Sequence, residues 1–262
     1  MADVRDLRES DHAAVGTVAV ACDQTGPVSA SDPRYLAHVR SRGRVAVREE
    51  AGSVVGYGGV VDLRGTSFLT DLFVAPDVRG EGHGGALLDV LWGGGAPRAT
   101  SSSQDPRALA AYARFGATPR WPLVRLRFPG APVVPQVPVV HEAVVPGDAG
   151  WTLELDGTET VRVLAGPGDF AATAVVRRDG DRWTVLRATT PDPRGLAVLV
   201  ADLRRSAGPD GVVEIAVPGP HPGFADLLGA GARIVDVDLW CATPDAVDLV
   251  DPTHELPSPA LA

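Results

Sequence analysis

The chain has 262 residues, 45% of them hydrophobic and 22% charged, with a net charge of −9. That length exceeds one ordinary domain, so two domains, or one fold in two similar halves around a sizeable core, are expected of a soluble globular protein. There is no lysine, no run of 18 apolar residues, no apolar signal-peptide core in MADVRDLRES and no basic stripe, which argues for a cytoplasmic protein with neither a membrane nor a nucleic-acid partner. Cys22 and Cys241 lie too far apart for a metal or redox spacing, so no metal and no disulfide are expected. Residues 1–130 carry 15 Arg against 14 acidic residues, and residues 131–262 carry 9 against 19. A polyanionic ligand is easier to hold in the first half, and the acidic half could attract a cationic amine.

In chain order, Val4 to Leu7 reads as a strand, and Ser10 or Asp11 can cap a helix with Val15, Val18, Ala19 and Cys22 on one face. Asp32-Pro33 starts a second helix through Tyr35, Leu36 and Val39. Arg44 to Glu49 and Val54 to Leu63 form a hairpin, in which Gly56, Gly58 and Gly59 mark close backbone approach or a bulge. Phe68, Leu69, Leu72, Phe73 and Val74 form an apolar strand ended by Pro76-Asp77. After a glycine-rich turn, Ala86, Leu87, Leu88, Leu91 and Trp92 recur at helical spacing until Gly93-Gly94-Gly95 stops them early. Arg98 to Ser103 is a further strand, and Asp105-Pro106 opens a helix carrying Ala108, Leu109, Tyr112 and Phe115, ended by Gly116.

The glycines of that turn sit at a helix start, where the first amides have no partners and the macrodipole favours an anion. Lacking Cβ atoms, they let the backbone close on a phosphate, with Arg79 beside them as a positive charge. A hydrolase phosphate loop needs Gly-Lys-Ser/Thr, which a chain without lysine cannot supply. A dinucleotide fingerprint needs G-x-G-x-x-G, whereas Gly80, Gly82 and Gly84 recur at every second residue. The pattern V-x-P-x-x-R-G-x-G-x-G, from Val74 through Pro76 and Arg79 to Gly84, resembles the coenzyme A pyrophosphate loop of the GNAT acetyltransferase superfamily. A second stretch, D-x-x-A-x-x-x-Y-x-x-x-G from Asp105 through Tyr112 to Gly116, is similar to that family's N-x-x-A-x-x-x-Y-x-x-x-G motif, with Asp105 in the asparagine position.

The resemblance implies an α+β GNAT fold with a mixed sheet and acetyl-CoA as co-substrate, held by Leu72, Phe73, Val74, Arg79, Gly80, Gly82, His83, Gly84 and Gly85. It implies an N-acetyltransferase acting by direct attack of a primary amine on the thioester, the acceptor being a small molecule or a peptide N-terminus; a homodimer is compatible with it. Tyr112 falls on the family's general-acid position, and a phenol of ordinary pKa about 10 can protonate a leaving thiolate. Asp71 is the first candidate for the base that takes the amine's proton, ahead of His38 and Asp62, while His83 is read as cofactor-side through its backbone N–H. The short helix after Gly84 and the unsettled base motivate an alternative, a non-catalytic acyl-CoA-binding or sensing module.

The division expected is a GNAT domain over 1–128, a proline-rich connection over 129–150, a degenerate GNAT-like domain over 151–245 and a poorly ordered tail over 246–262. In the second half, 170–178 and 183–189 form a hairpin and Pro193-Arg194-Gly195 leads into a helix through Leu199 and Leu203, but the glycine turn is shortened away. Val212 to Val217 is a strand, Phe224 to Leu228 a short helix and Gly231 to Cys241 a final strand region. Aligning Gly116-Ala117 with Gly231-Ala232 puts Leu227 where Tyr112 sits, so this half lacks both the anion turn and the acid.

Overall fold

The computed structural model describes residues 3–24, 29–130, 140–143, 159–165 and 171–257, without the side chains of 140–143, 159–165 and 171. They form two compact units, Met1–Arg120 with Trp240–Leu249, and Trp121–Leu239 with Val250–Leu261.

The first unit runs β1 (Asp3–Asp6), α1 (His12–Ala21), α2 (Pro33–Arg42), β2 (Gly43–Glu50), β3 (Ser53–Leu63), β4 (Thr66–Val74), α3 (His83–Trp92), β5 (Arg98–Ser102) and α4 (Pro106–Arg114). Strands β1 to β4 pair antiparallel in sequence order, and β5 adds parallel to β4, giving a mixed sheet. Successive strand residues face opposite sides. At Gly58 an added Cβ would meet Leu91 of α3, and at Gly59 it would meet Val39 of α2, so α2 and α3 cover opposite faces. Beneath α3, Leu87, Leu88, Leu91 and Trp92 pack with Ala46, Val60, Leu69 and Tyr112. Val15, Val18, Ala19, Leu36 and Val39 of α1 and α2 are equally buried.

The second unit contains most of β6 (Thr118–Pro129), then β7 (Val140–Ala143), β8 (Glu159–Ala165), β9 (Ala171–Asp179), β10 (Arg182–Thr189), α5 (Pro193–Ala207), β11 (Val212–Pro218), α6 (Phe224–Gly229), most of β12 (Arg233–Ala242) and β13 (Glu255–Leu256). Its strand order is β6-β11-β10-β9-β8-β7, with β13 paired to β10. The antiparallel hairpin β9–β10, the helix α5 and the parallel strand β11 repeat the plan of β3–β4, α3 and β5. Leu196, Leu199, Val200 and Leu203 of α5 pack in this unit's core against Val176, Val185, Val213 and Ile215.

Each unit ends with a strand from the other half of the sequence. The strand after α4, β6, lies beside β11 in the second unit. The last residues of β12 return to the first unit beside β5, where Thr243 and Arg98 exchange bonds of 2.9 Å and the Trp240 ring lies 5.5 Å from Phe68.

The tail expected over 246–262 is folded as far as residue 257. Pro244–Leu249 form a 3-10 turn in the first unit and β13 pairs with β10 in the second, with Ala246, Leu249, Val250 and Leu256 buried. Its prolines and acids suggest a solvated segment, yet its few apolar residues are those that pack. Residues 258–262 lie outside the described residues, as do 131–139 and 144–150 of the expected connection, which contributes β7.

Candidate active site

The site starts where β4 leaves β5. Only Ser67, Phe68 and Leu69 pair with β5, and there the Thr100 hydroxyl takes the Leu69 carbonyl at 2.9 Å. From Thr70 to Val74 the β5-facing edge of β4 has no strand beside it among the described residues. Across the other edge, Asp71 pairs with Gly59 and Leu69 with Val60, so Thr70 is a bulged extra residue. A bulge re-aims the side chains next to it, and Asp71 points under α2.

There the Asp71 carboxylate is buried, and its Oδ2 accepts from the Tyr35 hydroxyl at 2.5 Å and from Thr70 Oγ1 at 2.8 Å. Burial pushes its pKa above the usual carboxylate value, and the two hydroxyls pull it partly back. A Cβ at Gly59 would come 2.8 Å from Thr70 Oγ1 and 3.0 Å from Val39. Gly59→Ala is therefore expected to cost about 1–3 kcal/mol in urea denaturation, as overpacking does. Close by, Tyr57 is fully buried, its ring tilted 5.6 Å from Phe73 and its hydroxyl without a partner among the described residues.

On the β5 side, α4 carries Tyr112, buried with its ring edge-on to Trp92 at 5.7 Å and its hydroxyl against Ser102. Ser102 donates its own proton to the Ser103 carbonyl at 2.7 Å, leaving lone pairs for the phenol. Burial, then the charges of Cys241 and Asp71, hold the Tyr112 pKa above that of an ordinary phenol. Tyr112 therefore keeps its proton at neutral pH.

The glycine turn closes the site. Gly80 and Gly82 have φ of 92° and 85°, a region that favours glycine, and Gly82 caps α3 without any side-chain bond. The first helical bond at this end runs from Ala86 N to Gly82 O at 3.0 Å, so the His83, Gly84 and Gly85 amides precede the ladder. A Cβ built at Gly80, Gly82 or Gly85 meets nothing within 4 Å. Three of the other helix starts differ, while α1 and α6 also lack a side-chain cap bond: α2, α4 and α5 each begin Asp-Pro-Arg, the Asp32, Asp105 or Asp192 carboxylate accepting the arginine amide and pairing with its guanidinium. Three helix ends are satisfied internally. The end of α3 is not.

Arg79 folds back, its Nε donating to the Val74 carbonyl at 3.0 Å and its Nη2 lying 3.2 Å from Cys22 Sγ. The side chain of His83 turns inward, and its Nδ1 accepts from Arg48 Nε at 3.2 Å. Because arginine only donates, Nε2 carries the imidazole proton and faces Glu50 and Glu81 at 3.4 and 3.6 Å. These three residues lie within 4.8 Å of one another, spaced as metal ligands could be, and Nε2 is buried without a hydrogen-bond partner among the described residues. Of the weaker base candidates, Asp62 is exposed and accepts from Gly65 N in the β3–β4 turn, before the strands part. His38 makes no hydrogen bond to Asp71.

Residues 41–116 match the family model described as Acetyltransferase (GNAT) domain. The first unit carries a GNAT domain. That match lies within the first unit and takes in β3, β4, α3, β5 and α4. No curated protein matches it. Among solved structures, a Pyrococcus horikoshii protein classed as an acetyltransferase matches with a TM-score of 0.76 at 14% identity, covering 100% of this chain and 96% of that one. A tandem GNAT protein from the clavulanic acid biosynthesis pathway matches at 0.61 and 16% identity, over 93% and 98% of the two chains. A GCN5-related N-acetyltransferase from Sphaerobacter thermophilus matches at 0.62 and 15% identity, over 92% and 95%. Such identities speak for the fold alone.

The second unit repeats the helix end that follows Tyr112. Ala117 N donates to Tyr112 O, and Ala232 N donates to Leu227 O, each at 3.1 Å after a glycine of positive φ. Leu227 thus occupies the position equivalent to Tyr112, buried in its core. No helix is long and apolar enough to cross a membrane.

Proposed function

We propose that this chain transfers the acetyl group of acetyl-CoA directly to a primary amine, a small molecule or a peptide N-terminus, with Asp71 as base and Tyr112 as acid. The observation that carries this reading is that β4 and β5 part after Leu69, with Asp71 next to the bulge at Thr70 on β4 and Tyr112 on the helix that follows β5. The unpaired edge from Thr70 to Val74, including Leu72 and Phe73, suits an extended pantetheine chain, as sheet edges suit added strands. The Gly80, Gly82, His83, Gly84 and Gly85 backbone suits the pyrophosphate, with Arg79 at its side. Asp71 takes a proton from the acceptor's ammonium form, and the amine attacks the thioester carbonyl. As the C–S bond breaks, Tyr112 gives its proton to the departing thiolate; the attacking nitrogen sheds its second proton as the amide forms, which restores the Tyr112 phenol through solvent, and the proton held by Asp71 returns to solvent. Residues 1–128 are read as the catalytic domain and 151–245 as its degenerate partner.

Calorimetric titration with acetyl-CoA tests the reading. Saturable binding is expected, weakened about 100-fold by Gly82→Asp, which strains a positive-φ position and sets a carboxylate against the anion site. Absence of binding by the native chain would overturn the proposal.

A further inference from the structure

We infer that Tyr35, on α2, is the positioning residue that makes Asp71 a usable proton acceptor, fixing which carboxylate oxygen works and keeping it ionised. The inference rests on the reading of Asp71 as base and adds a residue that neither sequence motif contains.

Asp71 lies buried beneath a helix with no positive charge acting on it among the described residues. The titratable groups around it are Tyr35 from α2, Tyr57 from β3 and Tyr112 from α4, all neutral phenols held above their usual pKa. A carboxylate desolvated in this way prefers to hold its proton, and a base already protonated accepts nothing. What offsets the desolvation is hydrogen bonding, first from Tyr35 and then from Thr70. Both donate to Oδ2, so Oδ1 is the oxygen left to take the amine's proton. The chain is built to deliver Tyr35 there. Asp32 caps α2, Pro33 occupies its first position, and Tyr35 follows with Leu36 and Val39 on the buried face. Gly59, whose added Cβ would press on Thr70 and Val39, keeps the space between α2 and the bulge clear.

The pH dependence of kcat/KM for Tyr35→Phe tests this, since phenylalanine keeps the ring and loses only the donor. The acid limb is expected to move to higher pH by about 1–2 units, the value of a hydrogen bond to a charged group. Thr70→Val should move it in the same direction by less, and serves if the first variant folds poorly. A carbon NMR titration of the free protein, with the Asp71 carboxyl identified as the resonance missing from Asp71→Asn, should show the same displacement without any substrate. An unmoved carboxyl titration in both variants overturns the inference even if Asp71→Asn proves inactive. Full activity of Asp71→Asn overturns the base reading itself, and this inference with it.

Discussion

Tyr112→Phe is expected to lower kcat by about 10²–10⁴-fold while leaving acetyl-CoA affinity within about twofold. The ring stays where Trp92, Leu88 and Ala117 hold it, so the core is not disturbed. What disappears is the proton of a phenol that burial keeps protonated at neutral pH, and with it the means of neutralising the thiolate as it forms. An interaction made only during bond breaking is lost from kcat and not from binding. Stopped-flow release of free thiol at saturating acetyl-CoA, set beside calorimetric Kd values, separates the two. Unchanged turnover would mean that the thiolate departs unprotonated or finds another donor.

Asp71→Asn is expected to cut turnover by about 100-fold or more and at the same time to raise thermal stability. The sign follows from linkage. The native pKa of Asp71 lies above its unfolded value of 3.8, so the native state holds its proton more tightly, and stability falls as pH rises from the unfolded toward the native value. Above the native pKa a charge sits where burial disfavours it, and a neutral amide removes that cost. Its oxygen can still accept from Tyr35 and Thr70. A gain on the order of 1 kcal/mol, or about 2–4 °C in Tm, is expected at neutral pH, vanishing below pH 3.8. Melting curves at pH 7.5 and in acid, set beside the rates, give the comparison; a variant both inactive and less stable would count against a carboxylate retained for chemistry at a cost to stability.

Much of this was legible in the chain because backbone chemistry wrote it. Gly80 and Gly82 need positive φ, Asp105-Pro106 starts a helix, and Gly116 ends it, each a local requirement with few solutions. The placement of Tyr112 followed from those landmarks. Tyr35 did not. It belongs to no motif, and its bond to Asp71 spans 36 residues through a bulge at Thr70 that only strand pairing reveals. The inward turn of His83 was equally hidden, since it depends on Arg48 and Glu50 at the end of a neighbouring strand. The Asp-Pro-Arg triplets were in plain sight, and their shared role as closed helix ends gives the open end of α3 its contrast. The folded segment 244–257 was missed because its packing partners are distant in sequence.

The return of β12 to the side of β5 sets a timetable for synthesis. About 140 residues separate Ser102 from Trp240, and a ribosome adding about 5–20 residues per second needs roughly 7–28 s to cross that gap. Throughout that interval the nascent GNAT domain presents β5 as a bare sheet edge, the kind of surface on which chains aggregate. Its last strand emerges only after α6 of the second unit has been made. Expressed without residues 240–249, the first unit keeps β5 as an open edge.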